Sequence, residues 1–309
     1  MFTPLEAINR LCDKREIFYD EMVDLMRQVM EGRVPPVQLA AILMGLHVKT
    51  ESVSEIAAAA SVMREFSTKV DASGVDHLVD TCGTGGDKAH TFNISTTAAF
   101  VAAAAGAHVA KHGGRSVSSQ SGSADVLEGL GVNLALTPDQ VGVCIREVGV
   151  GFMFAPNQVM GVFHADLVGI QARVLKMLGS KHVLTVHGQD GLDEISIAGP
   201  TFVAELKHDF ITEYSIEPKQ FGFDTAPIES LQVKDAAESR SRVEAVLANE
   251  EGPSRDVVIL NAAAALYVCG VAPSLWDGVA LAREAIAGGG ARRKLDQLVK
   301  FTRSFAKPG

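Results

Sequence analysis

The feature that most restricts what this chain can fold into is a change of hydrophobic period near residue 70. Up to that point apolar side chains recur every three or four positions, the period of amphipathic helices, and no β pattern interrupts them. Beyond residue 77 short runs of β-formers alternate with longer helical stretches. That alternation specifies a parallel sheet covered by helices. The sequence therefore predicts a small helical domain over 1–70 and a large α/β domain over 75–309, with a mostly parallel central sheet flanked by helices. A helical return to the small domain is expected near 160–180.

Helix boundaries are written in the capping residues. Thr3 and Glu6 stand three apart around Pro4, a capping-box spacing that predicts a helix through Leu11. A second helix is expected over 18–31, with Met22, Leu25, Met26 and Met30 on one face and Gly32 as its stop. Pro35 and Pro36 start a third, through Leu39, Ile42, Leu43 and Leu46; Ser52 and Glu55 cap a fourth, which carries Ile56, Val62, Met63 and Phe66. The apolar faces of this unit are candidates for a dimer contact, with core packing as the plainer use. Residues 67–76 read as the linker. Strands are then predicted over 78–80, 108–111, 151–154 and 182–186, with a further strand region over 201–214. Helices are predicted over 95–105, 123–130, 138–148, 164–178, 255–268, 274–287 and 290–305.

Composition removes several classes of function. Twenty-eight basic against thirty-seven acidic side chains leave a net charge of −9, which opposes any general affinity for nucleic acid; an anionic ligand needs a local basic pocket. The longest apolar run, 98–107, is too short for a membrane span. The first residues lack a secretory pattern, and Cys12, Cys82, Cys144 and Cys269 show no close pairing, so a reduced, cytoplasmic chain with no membrane partner is expected.

Three stretches carry chemistry. The first, DTCGTGGDKAHTFNIST from Asp80, places Gly83, Gly85 and Gly86 between a strand and a helix. Glycines let backbone amides converge on phosphate oxygens, and the next helix adds unpaired donors and the positive end of its dipole. A tight turn needing positive φ would explain the glycines alone, but not the small donors Asn93, Ser95, Thr96 and Thr97 that follow. The run is neither a Walker loop nor a dinucleotide fingerprint. The second stretch, KHGGRSVSSQSGSAD from Lys111, concentrates Lys111, His112 and Arg115 among glycines and hydroxyls. In an acidic chain this is a cationic anion-binding loop or, more plainly, a solvated one. The third, HGQDGLDEIS, offers Asp193 and Glu194 in a loop beyond a strand, hard oxygen ligands that suit Mg²⁺ shared with substrate phosphates. All three follow candidate strands, so they are expected to face one cleft. Cys82 reads as a small packing residue.

Together these runs resemble the anthranilate phosphoribosyltransferase family over nearly the whole chain. GTGGD at 83–87, NIST at 93–96, the KHG and RSVSS runs within 111–119, SGSAD at 121–125 and the Asp193, Glu194 pair are that family's motifs in its order. The resemblance implies a nucleoside phosphorylase or phosphoribosyltransferase-like fold, a homodimer formed through the helical domain, and transfer of a phosphoribosyl group from phosphoribosyl pyrophosphate to anthranilate in tryptophan synthesis. It implies donor contacts from Gly83, Gly86, Asp87, Thr91, Asn93, Ile94, Ser95, Thr96, Lys111, His112, Gly113, Gly114, Arg115, Ser116, Val117, Ser118, Ser119 and Ser123. Lys111, Asp87 and Arg115 are the catalytic residues it implies, and Ser95, Asp193 and Glu194 the Mg²⁺ ligands. No general base is evident.

Two departures stand out. Between Pro156 and Gly161 the family normally has some tens more residues, including an anthranilate-binding arginine, whereas only Asn157 to Met160 occur here. Gly114 stands where the family commonly has an anthranilate-contacting asparagine. Two other readings compete. A pyrimidine nucleoside phosphorylase shares the fold but lacks the NIST run and the acidic pair. A non-catalytic nucleic-acid-binding relative is opposed by the charge of −9.

Overall fold

The computed structural model describes residues 1–114, 122–152 and 158–305. Its contacts divide the chain into two units, 1–69 with 173–179, and 70–172 with 180–309.

The first unit holds α1 (Pro4–Cys12), α2 (Tyr19–Met30), α3 (Pro36–Lys49) and α4 (Val53–Phe66). Both expected capping boxes form. Glu6 N–H donates to Thr3 Oγ1 at 3.2 Å and Thr3 N–H to Glu6 Oε2 at 2.7 Å; Glu55 and Ser52 exchange the same pair of bonds at 3.2 and 2.8 Å. Gly32 follows α2 with φ of 71°, a conformation that favours glycine. Glu55 has a second task that its spacing does not reveal: 1% exposed, it also accepts from Ile17 N–H at 2.9 Å and from Lys49 Nζ at 2.8 Å. The core comprises Ala7, Leu11, Ile17, Met22, Leu25, Val34, Ile42 and Ala58. In α3 only Ile42 is buried, while Val37, Leu43, Met44 and Val48 are exposed, as are Met30, Met63 and Phe66.

The second unit is built on seven strands, β1 (Leu78–Gly83), β2 (His108–Lys111), β3 (Val150–Phe152), β4 (Gln158–Gly161), β5 (His182–Gly188), β6 (Thr201–Lys207) and β7 (Phe210–Ile216). They form one sheet in the order β3-β2-β1-β4-β5-β6-β7, parallel from β3 to β5 and antiparallel beyond. Helix α5 (Ile94–Ala104) joins β1 to β2, α6 (Ser123–Gly129) and α7 (Pro138–Val148) lie between β2 and β3, and α8 (Asp166–Met177) joins β4 to β5. Helices α9 (Ala236–Leu247), α10 (Pro253–Val268), α11 (Leu275–Ala287) and α12 (Gly290–Arg303) complete the unit. Alanines set much of the packing distance: Ala98, Ala99, Ala102 and Ala103 in α5 and Ala262 to Ala265 in α10 are buried, with Phe100 and Val101 of α5 filling the space between them. A Cβ on Gly278 of α11 would lie 2.6 Å from the Ala263 carbonyl oxygen.

Three elements differ from expectation. β4 was not anticipated, because four residues beginning with Gln158 and ending with Gly161 carry no readable alternation; pairing with β4 extends β1 through Gly83. The region 201–214 is a hairpin, turned at His208 and Asp209, both with positive φ as a two-residue hairpin loop requires. α9 was missed because its apolar stripe is only Val243, Val246 and Leu247 among charged residues.

The chain leaves β1 toward β2 and leaves β4 toward β5, so the crevice outside the carboxyl ends of β1 and β4 is the topological switch point. β3 and β4 are parallel and separated by β2 and β1, yet only residues 153–157 lie between them. A crossover between parallel strands normally takes about a dozen residues or more.

Candidate functional site

A cavity of about 320 Å³ lies at the switch point. The glycine loop contributes Gly83, Asp87 and Thr91, and the start of α5 contributes Asn93, Ile94, Ser95 and Thr96. The end of β2 and its loop bring Lys111, His112, Gly113 and Gly114, α6 begins with Ser123, and Asp193 and Glu194 complete the wall. The three stretches read from the sequence thus meet in one place. Gly86 belongs to the same loop but does not line the cavity. Arg115, Ser116, Val117, Ser118 and Ser119 lie outside the described residues.

The glycines serve different needs. Gly85 and Gly86 have φ of 73° and 87°, where a side chain would be strained. Gly83 is required for space: a Cβ there would lie 2.5 Å from Asp193 Oδ2. Two amides of the loop hold its walls, since Thr84 N–H donates to Gly161 O at 3.0 Å and Gly85 N–H donates to Asp193 Oδ2.

The start of α5 is fixed from a distance. Asn93 N–H donates to Ser239 Oγ at 3.2 Å, and that hydroxyl donates to Asn93 Oδ1 at 2.8 Å, so α9 orients the turn. Lys111 is 3% exposed, with Nζ donating to Thr81 O at 2.6 Å and to Ser95 Oγ at 3.2 Å. A buried ammonium is thereby aimed at the floor of the cavity rather than at solvent.

Asp193 and Glu194 are each 7% exposed. Burial, then Glu194 and Asp87, push the Asp193 carboxyl well above the usual carboxylate range. Burial also raises Glu194; Lys111 and the hydroxyl and amide of Ser95 oppose the rise without cancelling it. Two desolvated carboxyls short of positive charge, with the Ser95 hydroxyl beside them, form a hard oxygen set that fits Mg²⁺. Asn261 of α10 clamps the segment, accepting from Ile195 N–H at 3.0 Å and donating to Ile195 O at 2.9 Å.

Sequence reasoning missed Gly161, Asn261, Ser239 and Asp80. Asn261 left a trace as the one amide inside an apolar helix, whereas Ser239 left none. Asp80 is fully buried, accepting from the His112 backbone N–H at 3.2 Å and pairing with the His112 ring. Cys82, read as packing, is buried but also lines the cavity. Among the described residues a Cβ on Gly114 would meet nothing within 4 Å.

Comparison with known proteins agrees with this geometry. Residues 5–67 match the helical bundle domain of a glycosyl transferase family, and residues 75–158 and 156–292 match its a/b domain. The anthranilate phosphoribosyltransferase of Chromobacterium violaceum is 59% identical over 340 aligned positions that cover 99% of each chain. Those positions exceed the 309 residues of this chain by 31, and the two stretches matching the a/b domain meet at 156–158, between β3 and β4. The crystal structure of the Thermus thermophilus anthranilate phosphoribosyltransferase superposes with a TM-score of 0.88 at 37% identity, covering 96% of this chain and 99% of that one. The Saccharomyces cerevisiae enzyme, solved in complex with phosphoribosyl pyrophosphate and Mg, shares the fold at 22% identity and a TM-score of 0.80, over 98% and 94% of the two chains. With a small helical bundle, a mostly parallel sheet and this cleft at its switch point, the chain belongs to the anthranilate phosphoribosyltransferase family.

Proposed function

We propose that this chain transfers the phosphoribosyl group of phosphoribosyl pyrophosphate to the amine of anthranilate. The bond from ribose C1 to pyrophosphate breaks, a C1–N bond forms, and the amine gives up one proton. The observation that carries the reading is the convergence of Lys111, the start of α5 and the buried pair Asp193 and Glu194 on one cavity. Asp193, Glu194 and Ser95 would hold Mg²⁺, which when bound supplies positive charge to the pyrophosphate. Lys111 adds charge to the leaving group, and the helix start and Ser123 hold phosphate oxygens. Anthranilate's aryl amine is neutral near pH 7, so positioning and charge stabilisation suffice without a general base.

Calorimetry of phosphoribosyl pyrophosphate with and without Mg²⁺ tests the reading. The donor should bind tightly only with the metal, because the acidic pair itself offers its phosphates no positive charge; equal affinity in both conditions counts against it. The exposed Val37, Leu43, Met44 and Val48 support a homodimer through the helical unit, to be checked by the sedimentation mass. No helix among the described residues is long and apolar enough to cross a membrane, and a cytoplasmic location accords with this reading.

A further inference from the structure

Asp80, Cys82 and His112 each bring a ligand atom to within 4.8 Å of the other two. This cluster shares no side chain with the pair Asp193 and Glu194. Strand geometry builds it, because residues two apart on β1 leave the strand on one face and His112 directly follows the neighbouring β2. Asp80 is fully buried and Cys82 is 4% exposed, while Cys82 and His112 both line the cavity. The contacts between Asp80 and His112 orient the ring, but they give no role to the thiol beside them.

We propose that Asp80, Cys82 and His112 form a second cation site, selective for thiophilic divalent ions of the zinc class. A thiolate, an imidazole and a carboxylate are donor types zinc takes in three-ligand sites, whose fourth position stays open. Here that position faces the cavity. The sulfur donor selects against Mg²⁺, which favours the all-oxygen set at Asp193 and Glu194, so the two sites sort cations by donor softness. When the ion binds, the Cys82 thiol releases its proton to solvent, and the proton held between His112 Nδ1 and Asp80 passes to the ring's Nε2, leaving Nδ1 and the carboxylate to take the ion. The proposal does not depend on which substrates the cavity takes.

Cobalt(II) serves as the spectroscopic stand-in for zinc. Titrated into the full 309-residue protein at saturating Mg²⁺, it should give a near-ultraviolet thiolate-to-cobalt charge-transfer band that saturates at one equivalent and is displaced by Zn²⁺. Cys12→Ser, at an exposed thiol, should keep the band, and Cys82→Ser should lose it. His112→Gln should weaken cobalt binding by at least about tenfold. Absence of the band in the unaltered protein, or its survival in Cys82→Ser, overturns the site. If circular dichroism shows Cys82→Ser unfolded, His112→Gln decides, and unchanged cobalt affinity there overturns the proposal.

Discussion

Gly161 meets Asp193 with no room for a side chain between them: a Cβ on Gly161 would lie 1.6 Å from the Asp193 carbonyl oxygen. Its register partner on β1, Gly83, is pressed by the Asp193 carboxylate in the same way. The paired ends of β1 and β4 thus form a bare floor on which the acidic segment rests. Gly161→Ala must push that segment away or bend β4. A loss of about 1–3 kcal/mol in urea unfolding is expected, the usual scale for overpacking. Calorimetry should show weaker Mg²⁺ binding, and unchanged binding would separate the metal from Asp193 and Glu194.

Lys111→Ala should lower kcat/KM far more than Lys69→Ala. Lys111 is buried between Thr81 and Ser95, where one preorganised donor contributes roughly 3 kcal/mol to a developing negative charge. Lys69 lies on the exposed end of the helical unit, bonded to the Arg64 carbonyl. Steady-state assays of the two variants side by side decide the matter; comparable activity would remove Lys111 from the site.

Glu205 makes acid stability measurable. Burial alone would raise its carboxyl, but hydrogen bonds from His182, Tyr267 and Tyr214 outweigh it and hold the group at about 2, against an ordinary 4.5. A depressed folded value means the contribution is complete above 4.5 and is lost as pH falls from there toward 2. The side chain is 14% exposed, and the shift corresponds to about 3 kcal/mol. Urea unfolding near neutrality and at about pH 3 should therefore show a steeper acid loss in the unaltered protein than in Glu205→Gln. Parallel curves would mean that the network carries no pH-dependent stability.

Donor and acceptor binding should be separable. The predicted donor and metal ligands among the described residues all line or adjoin the cavity, but at least 31 of the positions aligned with the Chromobacterium relative have no counterpart here, and Gly114 offers no side chain. A carboxylate leaving water needs a paired cation. Anthranilate titrated into the Mg²⁺-saturated donor complex should bind at least about tenfold more weakly, a difference of about 1.4 kcal/mol, than to that relative. Equal affinity would show that other residues hold the acceptor.

Local signals explain what could be read in advance. The capping residues Thr3, Glu6, Ser52 and Glu55 set helix starts because their bonds close within one turn. His108 to Lys111 and Pro138 to Val148 were bounded correctly because β-former runs, proline and glycine act on their own neighbours. β4 and α9 stayed hidden because each draws its stability from partners far along the chain, not from its own pattern.

The site divides along the same line. By itself the sequence nominated the side chains proposed to carry chemistry, because glycine loops, a cationic hydroxyl-rich run and an acidic pair declare their types locally. The tertiary structure alone decided how they are held: Gly161 under Asp193, Asn261 around Ile195, Ser239 on Asn93, and Asp80 against His112. These are contacts across 32 to 146 positions of chain, where close packing and buried hydrogen bonds act through space and leave no period or spacing to read.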